Sequence, residues 1–421
     1  MNPFRNIFRL SVGDFVAKSL NFLAFVYLAR TLGVEGYGVL EFALAILTYF
    51  LLFADGGLEL WATREVASGT DLRSLAARIV PLRFVLALAS FCGLIGFLLV
   101  LPNYPGLRTV MILFGLTLFT QAVNLKWVFM GREEMPRVAI GLIIAQVVFA
   151  VAILVLVRSP RTILWVPVLR LTSDLAMAVY FGRLFVKLNG DLRLRFTLRK
   201  AGMALRSALP LGASHGLAFM SYNFDTILLG LLLTPAAVGL YSAAYKPVTV
   251  VLAMPTTYFI GLFPTLARTY TQDRDSFSAI ANRSFGLAAL CAVPLGIGGL
   301  FLASPIINFL FGPAYTSAVP VLQILVWSAA LVILRGTFRQ SLNGAGRAGL
   351  DLRCAGASVL LNITLNLLLI PRYGIIGAAV ATLVSEVLWF SLAYYYFNRY
   401  ISRLKLLPLL HQPVMAAIVM G

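Results

Sequence analysis

Charged side chains are scarce. Of 421 residues, 34 are Lys or Arg and 16 are Asp or Glu, 12% in all, about half the share of a soluble domain. So few charges cannot cover the surface of a water-soluble globule of this length. Histidine and cysteine are scarcer still, with two and three residues. Cys92, Cys291 and Cys354 lie far apart in apolar runs, and His215 and His411 have no Cys or His neighbours. Neither a disulfide framework nor a clustered metal centre is expected. A Gly-rich nucleotide loop is also missing, so no cofactor and no enzymatic role are expected. What the chain has in quantity is apolar residues, 60% of the total. At roughly 20 residues per crossing they suffice for about a dozen spans. The net charge of +18 then reads as membrane topology and not as a nucleic-acid footprint.

Apolar windows fall at 11–32, 39–57, 79–101, 110–130, 138–157, 163–184, 208–233, 239–263, 284–304, 319–338, 354–370 and 375–397. They predict an all-α integral membrane protein with twelve helices. Lys and Arg alternate with the connections, as they do when no span is missed. Of the 34 cations, 23 collect with the N-terminus and the even-numbered connections, five on the other side, and six fall within helices or at their ends. The N-terminus is therefore expected in the cytoplasm, and the protein in the cytoplasmic (inner) membrane. The expected division is a first lobe at 1–190, a basic cytoplasmic linker at 191–207, a second lobe at 208–400, and an incomplete further helix at 401–421, as if the C-terminal end were truncated. A faint repeat supports two lobes. Thr31–Leu40 answers Leu232–Tyr241, and Ile163 through Ser173-Asp174 answers Ile375 through Ser385-Glu386.

A charge at a helix centre costs about 2.5–3.5 kcal/mol on insertion scales, so such residues normally face protein or water. In the first span Asp14, Lys18 and Asn21 share one helical face, with Lys18 one turn from a partner carboxylate. Glu41 stands in the second span. The seventh carries His215, Tyr222, Asn223 and Asp225. The eighth presents Tyr241, Tyr245 and Lys246, the last too deep to snorkel. Arg83 and Arg170 are further cations within spans, although Arg83 lies near a cytoplasmic end from which it can snorkel, and Arg170 has Asp174 four residues on. Lys18, Lys246, Arg83 and Arg170 thus form the candidate cationic set. Asn21, Tyr222, Asn223, Tyr241 and Tyr245 are the polar and aromatic lining, and Asp14, Glu41 and Asp225 are candidates for ion coupling. Buried cations among tyrosines and amides suit an anionic, hydroxyl-rich cargo such as a sugar phosphate.

Four ordered stretches carry a family likeness. They are Arg30-Thr31-Leu32-Gly33-Val34-Glu35-Gly36-Tyr37-Gly38 with Ala54-Asp55-Gly56-Gly57-Leu58; Asp225-Thr226-Ile227 running to Tyr241-Ser242-Ala243-Ala244-Tyr245-Lys246; Phe311-Gly312-Pro313-Ala314-Tyr315; and Ile370-Pro371-Arg372-Tyr373-Gly374. The chain resembles the polysaccharide repeat-unit flippases of the multidrug/oligosaccharidyl-lipid/polysaccharide (MOP) exporter superfamily. The resemblance implies two six-helix lobes around a central cavity that opens alternately to either side. It also implies that Lys18 and Lys246 hold the diphosphate of a polyprenyl-linked oligosaccharide. Where relatives often place Arg in the Tyr-Lys stretch, Lys246 keeps the charge but loses the bidentate fork. The implied partners are that substrate, membrane lipids, and the polymerase and glycosyltransferases of the same pathway, with no nucleic acid. Competing readings are a cation-coupled drug antiporter of the same fold, a flippase for the peptidoglycan lipid precursor, and a membrane glycosyltransferase using Asp273-Arg274-Asp275.

Overall fold

In hydrocarbon a backbone must satisfy its own hydrogen bonds, and the apolar windows do so as helices. The computed structural model describes residues 3–101, 104, 106–190, 198–402 and 404; side chains are described at these positions except 3–12, 189, 198–200, 211 and 213–222. The helices are α1 Pro3–Asp55, α2 Leu58–Ala67, α3 Leu72–Phe97, α4 Leu107–Gly115, α5 Thr117–Val123, α6 Lys126–Gly131, α7 Met135–Leu156, α8 Trp165–Asn189, α9 Leu198–Leu232, α10 Pro235–Gln272, α11 Arg274–Leu310, α12 Val319–Gly344 and α13 Ala348–Tyr400. Among the described residues there is no strand, in keeping with the all-α expectation.

Eight helices among the described residues are long and apolar enough to cross a membrane, and the chain is a multi-pass membrane protein. Two of the eight, α1 and α13, each hold two of the expected windows. They break at Gly33 (φ 72°) and Gly374 (φ 57°), a backbone region that glycine enters without a Cβ penalty. In α13 the second segment returns along the first: the Ser358 hydroxyl donates to the Ser385 carbonyl at 2.8 Å. The windows at 163–184 and 208–233 fall on α8 and α9, which stand outside those eight.

The fourth window departs from expectation. It is an interrupted helix, tightening at Leu116, whose N–H bonds the Leu113 carbonyl, and leaving helical geometry at Asn124 (φ −73°, ψ 121°). A broken helix at membrane depth survives only where other groups take up the freed backbone. The Asn124 side chain accepts from the Lys126 backbone N–H at 2.9 Å, and the Asn124 carbonyl accepts from the Arg83 guanidinium at 3.1 Å.

The chain divides into two compact units, Met1–Leu231 and Leu232–Gly421. The linker expected at 191–207 lies outside the described residues as far as 197, and from Leu198 onward it is α9. The helix start expected at 401–421 falls almost wholly outside them. In the first unit Trp127, Phe129, Phe181 and Phe185 are fully buried, and the Phe129 and Phe181 rings stack at 5.3 Å. Phe181 lies on Gly141 so closely that a Cβ there would meet the ring at 2.4 Å. Close approach over small residues is how helices cohere in lipid, where expulsion of water contributes little. In the second unit Phe338 sits among Phe285, Phe390, Tyr394 and Phe397 at 5.2 to 5.8 Å. Phe397 is thus a core residue, and the partly buried Tyr394 packs against that core.

Candidate functional site

Four charges of the first unit gather where α1 ends. Asp55 closes α1, Glu59 lies one turn further in α2, Arg83 projects from α3, and Lys126 opens α6. The Arg83 side chain is only 4% exposed. It reaches Asp55 Oδ1 at 3.1 Å and Glu59 Oε2 at 3.9 Å, while Lys126 Nζ holds Glu59 Oε1 at 2.7 Å. Two acids and two bases balance, and the Asn124 carbonyl takes a further Arg83 donor. Burial alone would raise the Glu59 carboxyl, but Lys126 and then Arg83 outweigh it and hold it below its ordinary value. The α2 helix that carries Glu59 is seated by backbone proximity: Gly57 and Gly212 approach so closely that a Cβ on either would clash with the other's main chain. An anion can bind Arg83 only by displacing carboxylates already held there.

Arg170 is likewise engaged within its unit. Its Nε lies 3.5 Å from Asp174 Oδ1, its guanidinium stands over the Phe149 ring at 5.5 Å, and Gln121 hydrogen-bonds the same aspartate. In the second unit, the buried Arg335 makes a bidentate pair with Glu386 at 2.6 and 3.3 Å and lies flat on Trp389 at 3.6 Å. Asp174 and Glu386 are the two acids that the internal repeat aligns, and each meets an arginine of its own unit.

Lys18 differs from these in its surroundings. Its ammonium pairs with Asp14 Oδ2 at 2.7 Å, yet the two side chains are 63% and 44% exposed. A wet pair of this kind is worth little, so the lysine can exchange its carboxylate for another anion at small cost. Asn21, on the same segment, is half-buried, as is Asn223 in α9. Glu41 and Asp225 are buried in the first unit, with Tyr49 near Asp225. In α10, Tyr241 and Tyr245 stack at 6.0 Å and 18°, the Tyr241 hydroxyl lies 3.5 Å from that of Thr382, and Lys246 is half-buried beside them. Lys18 and Lys246 belong to different units. The side chains of Tyr222 and His215 lie outside the described residues.

Sequence reasoning missed Asp55 and Glu59 as partners of Arg83, and Lys126 as a second partner of Glu59. The i, i+4 spacing of the two acids beside a glycine pair was the available signal. The Asp273-Arg274-Asp275 stretch is the start of a helix: Asp273 accepts from the backbone N–H groups of Asp275 and Ser276, and the Ser276 hydrogen bonds hold its carboxyl below the ordinary value.

The sequence family described as polysaccharide biosynthesis protein matches residues 4–270. The chain belongs to that family. The MatE family matches residues 210–368. Among relatives of this family member, a protein named as an O-antigen transporter in Escherichia coli (strain K12) is 23% identical over 92% of this chain and 95% of its own length. The "Probable low-salt glycan biosynthesis flippase Agl15" of Haloferax volcanii is 23% identical over 96% of this chain and 85% of its own. Of solved structures, the lipid II flippase MurJ in an inward closed conformation superposes with a TM-score of 0.80 at 12% identity, covering 98% of this chain and 91% of that one. An inward-facing multidrug resistance MATE family transporter gives 0.73 at 12% identity, over 94% and 98% of the two chains. The fold is that of the MOP superfamily.

Proposed function

We propose that this protein flips a polyprenyl-diphosphate-linked oligosaccharide from the cytoplasmic to the outer leaflet of the inner membrane, by alternating access, for cell-surface polysaccharide assembly. The observation that carries this reading is similarity along almost the whole chain to a protein named as a glycan biosynthesis flippase and to one named as an O-antigen transporter. The charge pattern supports it. Arg83, Arg170 and Arg335 are held in pairs inside their units; Lys18, whose pair with Asp14 is exposed, and Lys246, half-buried beside its tyrosine stack, are the lysines we assign to the phosphate. We assign Arg83 and Arg170 to holding the first unit together. Ammonium groups meet phosphate oxygens as point charges, and the tyrosines offer apolar faces and hydroxyls to sugars. Asp14, Glu41 and Asp225 are the candidates for coupling an ion to the movement. The protein works without covalent chemistry, beside the glycosyltransferases and polymerase that make and consume its cargo. Its N-terminus lies in the cytoplasm, where 23 of the 34 cations gather.

The test is translocation of a fluorescent lipid-linked oligosaccharide in liposomes. A charge-assisted hydrogen bond is worth about 1.5–3 kcal/mol, so Lys18→Ala or Lys246→Ala lowers the rate about tenfold or more while insertion and unfolding are unchanged. Undiminished transport in both variants refutes the site. Loss in Asp225→Asn with Lys246→Ala unaffected favours the cation-coupled antiporter of the same fold.

A further inference from the structure

Three of the basic residues on or beside α7 and α8 have acidic partners. Arg132 and Arg137 share Glu134, and Arg170 has Asp174. Arg183 and Lys187 do not. They are exposed, one turn apart near the C-terminal end of α8, and neither makes a hydrogen bond or ion pair with any described residue. Both line a groove of about 330 Å³ between α7 and α8, whose remaining wall is Ile144, Ala176, Val179, Tyr180 and Leu184. The groove thus has a cationic end and an apolar length. From Lys187 to Ala176 is eleven residues, about 16 Å of helix, close to half of the roughly 30 Å hydrocarbon core. One leaflet is the depth that this groove covers.

We propose that the α7–α8 groove is a binding site for one anionic phospholipid, its phosphate held by Arg183 and Lys187 and an acyl chain lying over Val179, Ala176 and Ile144. Charge complementarity selects the headgroup and the leaflet-deep apolar wall selects the chain. A free inorganic phosphate would satisfy the cations alone and leave that wall exposed. The lipid belongs to the leaflet at the basic face, where the C-terminal end of α8 joins the connection richest in Lys and Arg. The inference rests on that orientation and not on the identity of the transported cargo. A bound lipid there would brace α7 against α8 at the edge of the first unit.

The experiment is native mass spectrometry of the full chain released from micelles doped with dioleoylphosphatidylglycerol or dioleoylphosphatidylcholine. Each cation near an anionic surface contributes about fivefold in affinity, so the double variant Arg183→Gln with Lys187→Gln lowers phosphatidylglycerol retention about 30-fold. Phosphatidylcholine retention stays as it was. A control with the same charge loss elsewhere, Arg268→Gln with Arg353→Gln, keeps the phosphatidylglycerol. The inference is overturned if phosphatidylcholine is retained equally, or if the control loses as much lipid as the double variant. It is also overturned if polyprenyl phosphate displaces the bound lipid at concentrations where added phosphatidylglycerol does not, since the groove would then belong to the carrier. Unchanged thermal unfolding of the double variant in lipid-free detergent separates lost binding from lost folding.

Discussion

Replacing Arg83 by methionine removes the hub of the Asp55, Glu59 and Lys126 cluster while keeping most of the apolar stem. At an effective dielectric constant of about 20, a unit pair 3.1 Å apart attracts by roughly 5 kcal/mol before desolvation is counted. Water recovers much of that once the arginine is gone, because Asp55 and Glu59 keep 29% and 30% exposure. Glu59 also keeps Lys126, so Asp55 is the group left without an ion pair, held by the backbone N–H groups of Gly57 and Glu59. The net loss is then about 3 kcal/mol, at the low end for a broken buried pair, of which the hydrogen bond to the Asn124 carbonyl supplies about 1 kcal/mol. Asp55→Asn alone costs about 2 kcal/mol by the same reasoning. The two residues touch, so the double variant costs less than the sum, with a coupling of about 1.5 kcal/mol. Reversible unfolding in mixed micelles titrated with dodecyl sulfate, followed by circular dichroism, measures all three. If Arg83→Met unfolds within about 0.5 kcal/mol of the native chain while transport is abolished, Arg83 serves the cargo and the reasoning here is refuted.

Other outcomes follow from the same packing and charges. Gly141→Ala drives a methyl into the Phe181 ring and costs about 1–3 kcal/mol, read as a lower thermal midpoint that Phe181→Leu partly restores. Glu386→Gln strands the buried Arg335 and costs about 3 kcal/mol in the dodecyl sulfate titration, and adding Arg335→Met recovers part of it. Because the folded state holds Glu59 below its ordinary value of 4.5, its contribution is complete above that pH and fades as acid protonates it below. Midpoints of Glu59→Gln and the native chain measured from pH 7 to pH 3 should therefore converge toward the acid end.

Much of the fold was legible because one physical requirement governs membrane helices above all others. A polar residue placed in hydrocarbon raises the free energy of the whole span, so each uninterrupted apolar window marks a helix. Glycine marks two of the breaks, at Gly33 and Gly374, through its backbone freedom. The interruption at Asn124 escaped that logic. No glycine or proline sits at Asn124, and the break is held by a guanidinium 41 residues away in sequence. The candidate site divides in the same manner. Charge at membrane depth favoured Lys18 and Lys246 over Arg83, which could snorkel, and Arg170, which had Asp174 one turn on, since insertion cost depends on residue type and depth. Which of them had partners depended on neighbours from other helices: Glu59 and Asp55 for Arg83, but only a wet Asp14 for Lys18.

The linear chain alone determined that this protein lives in a bilayer and how its windows follow one another, because hydration energy is a property of each segment taken singly. Tertiary structure decided which charges cancel. Coulomb attraction and desolvation act over a few ångströms, and only folding brings α1, α2, α3 and α6 within that distance of one another.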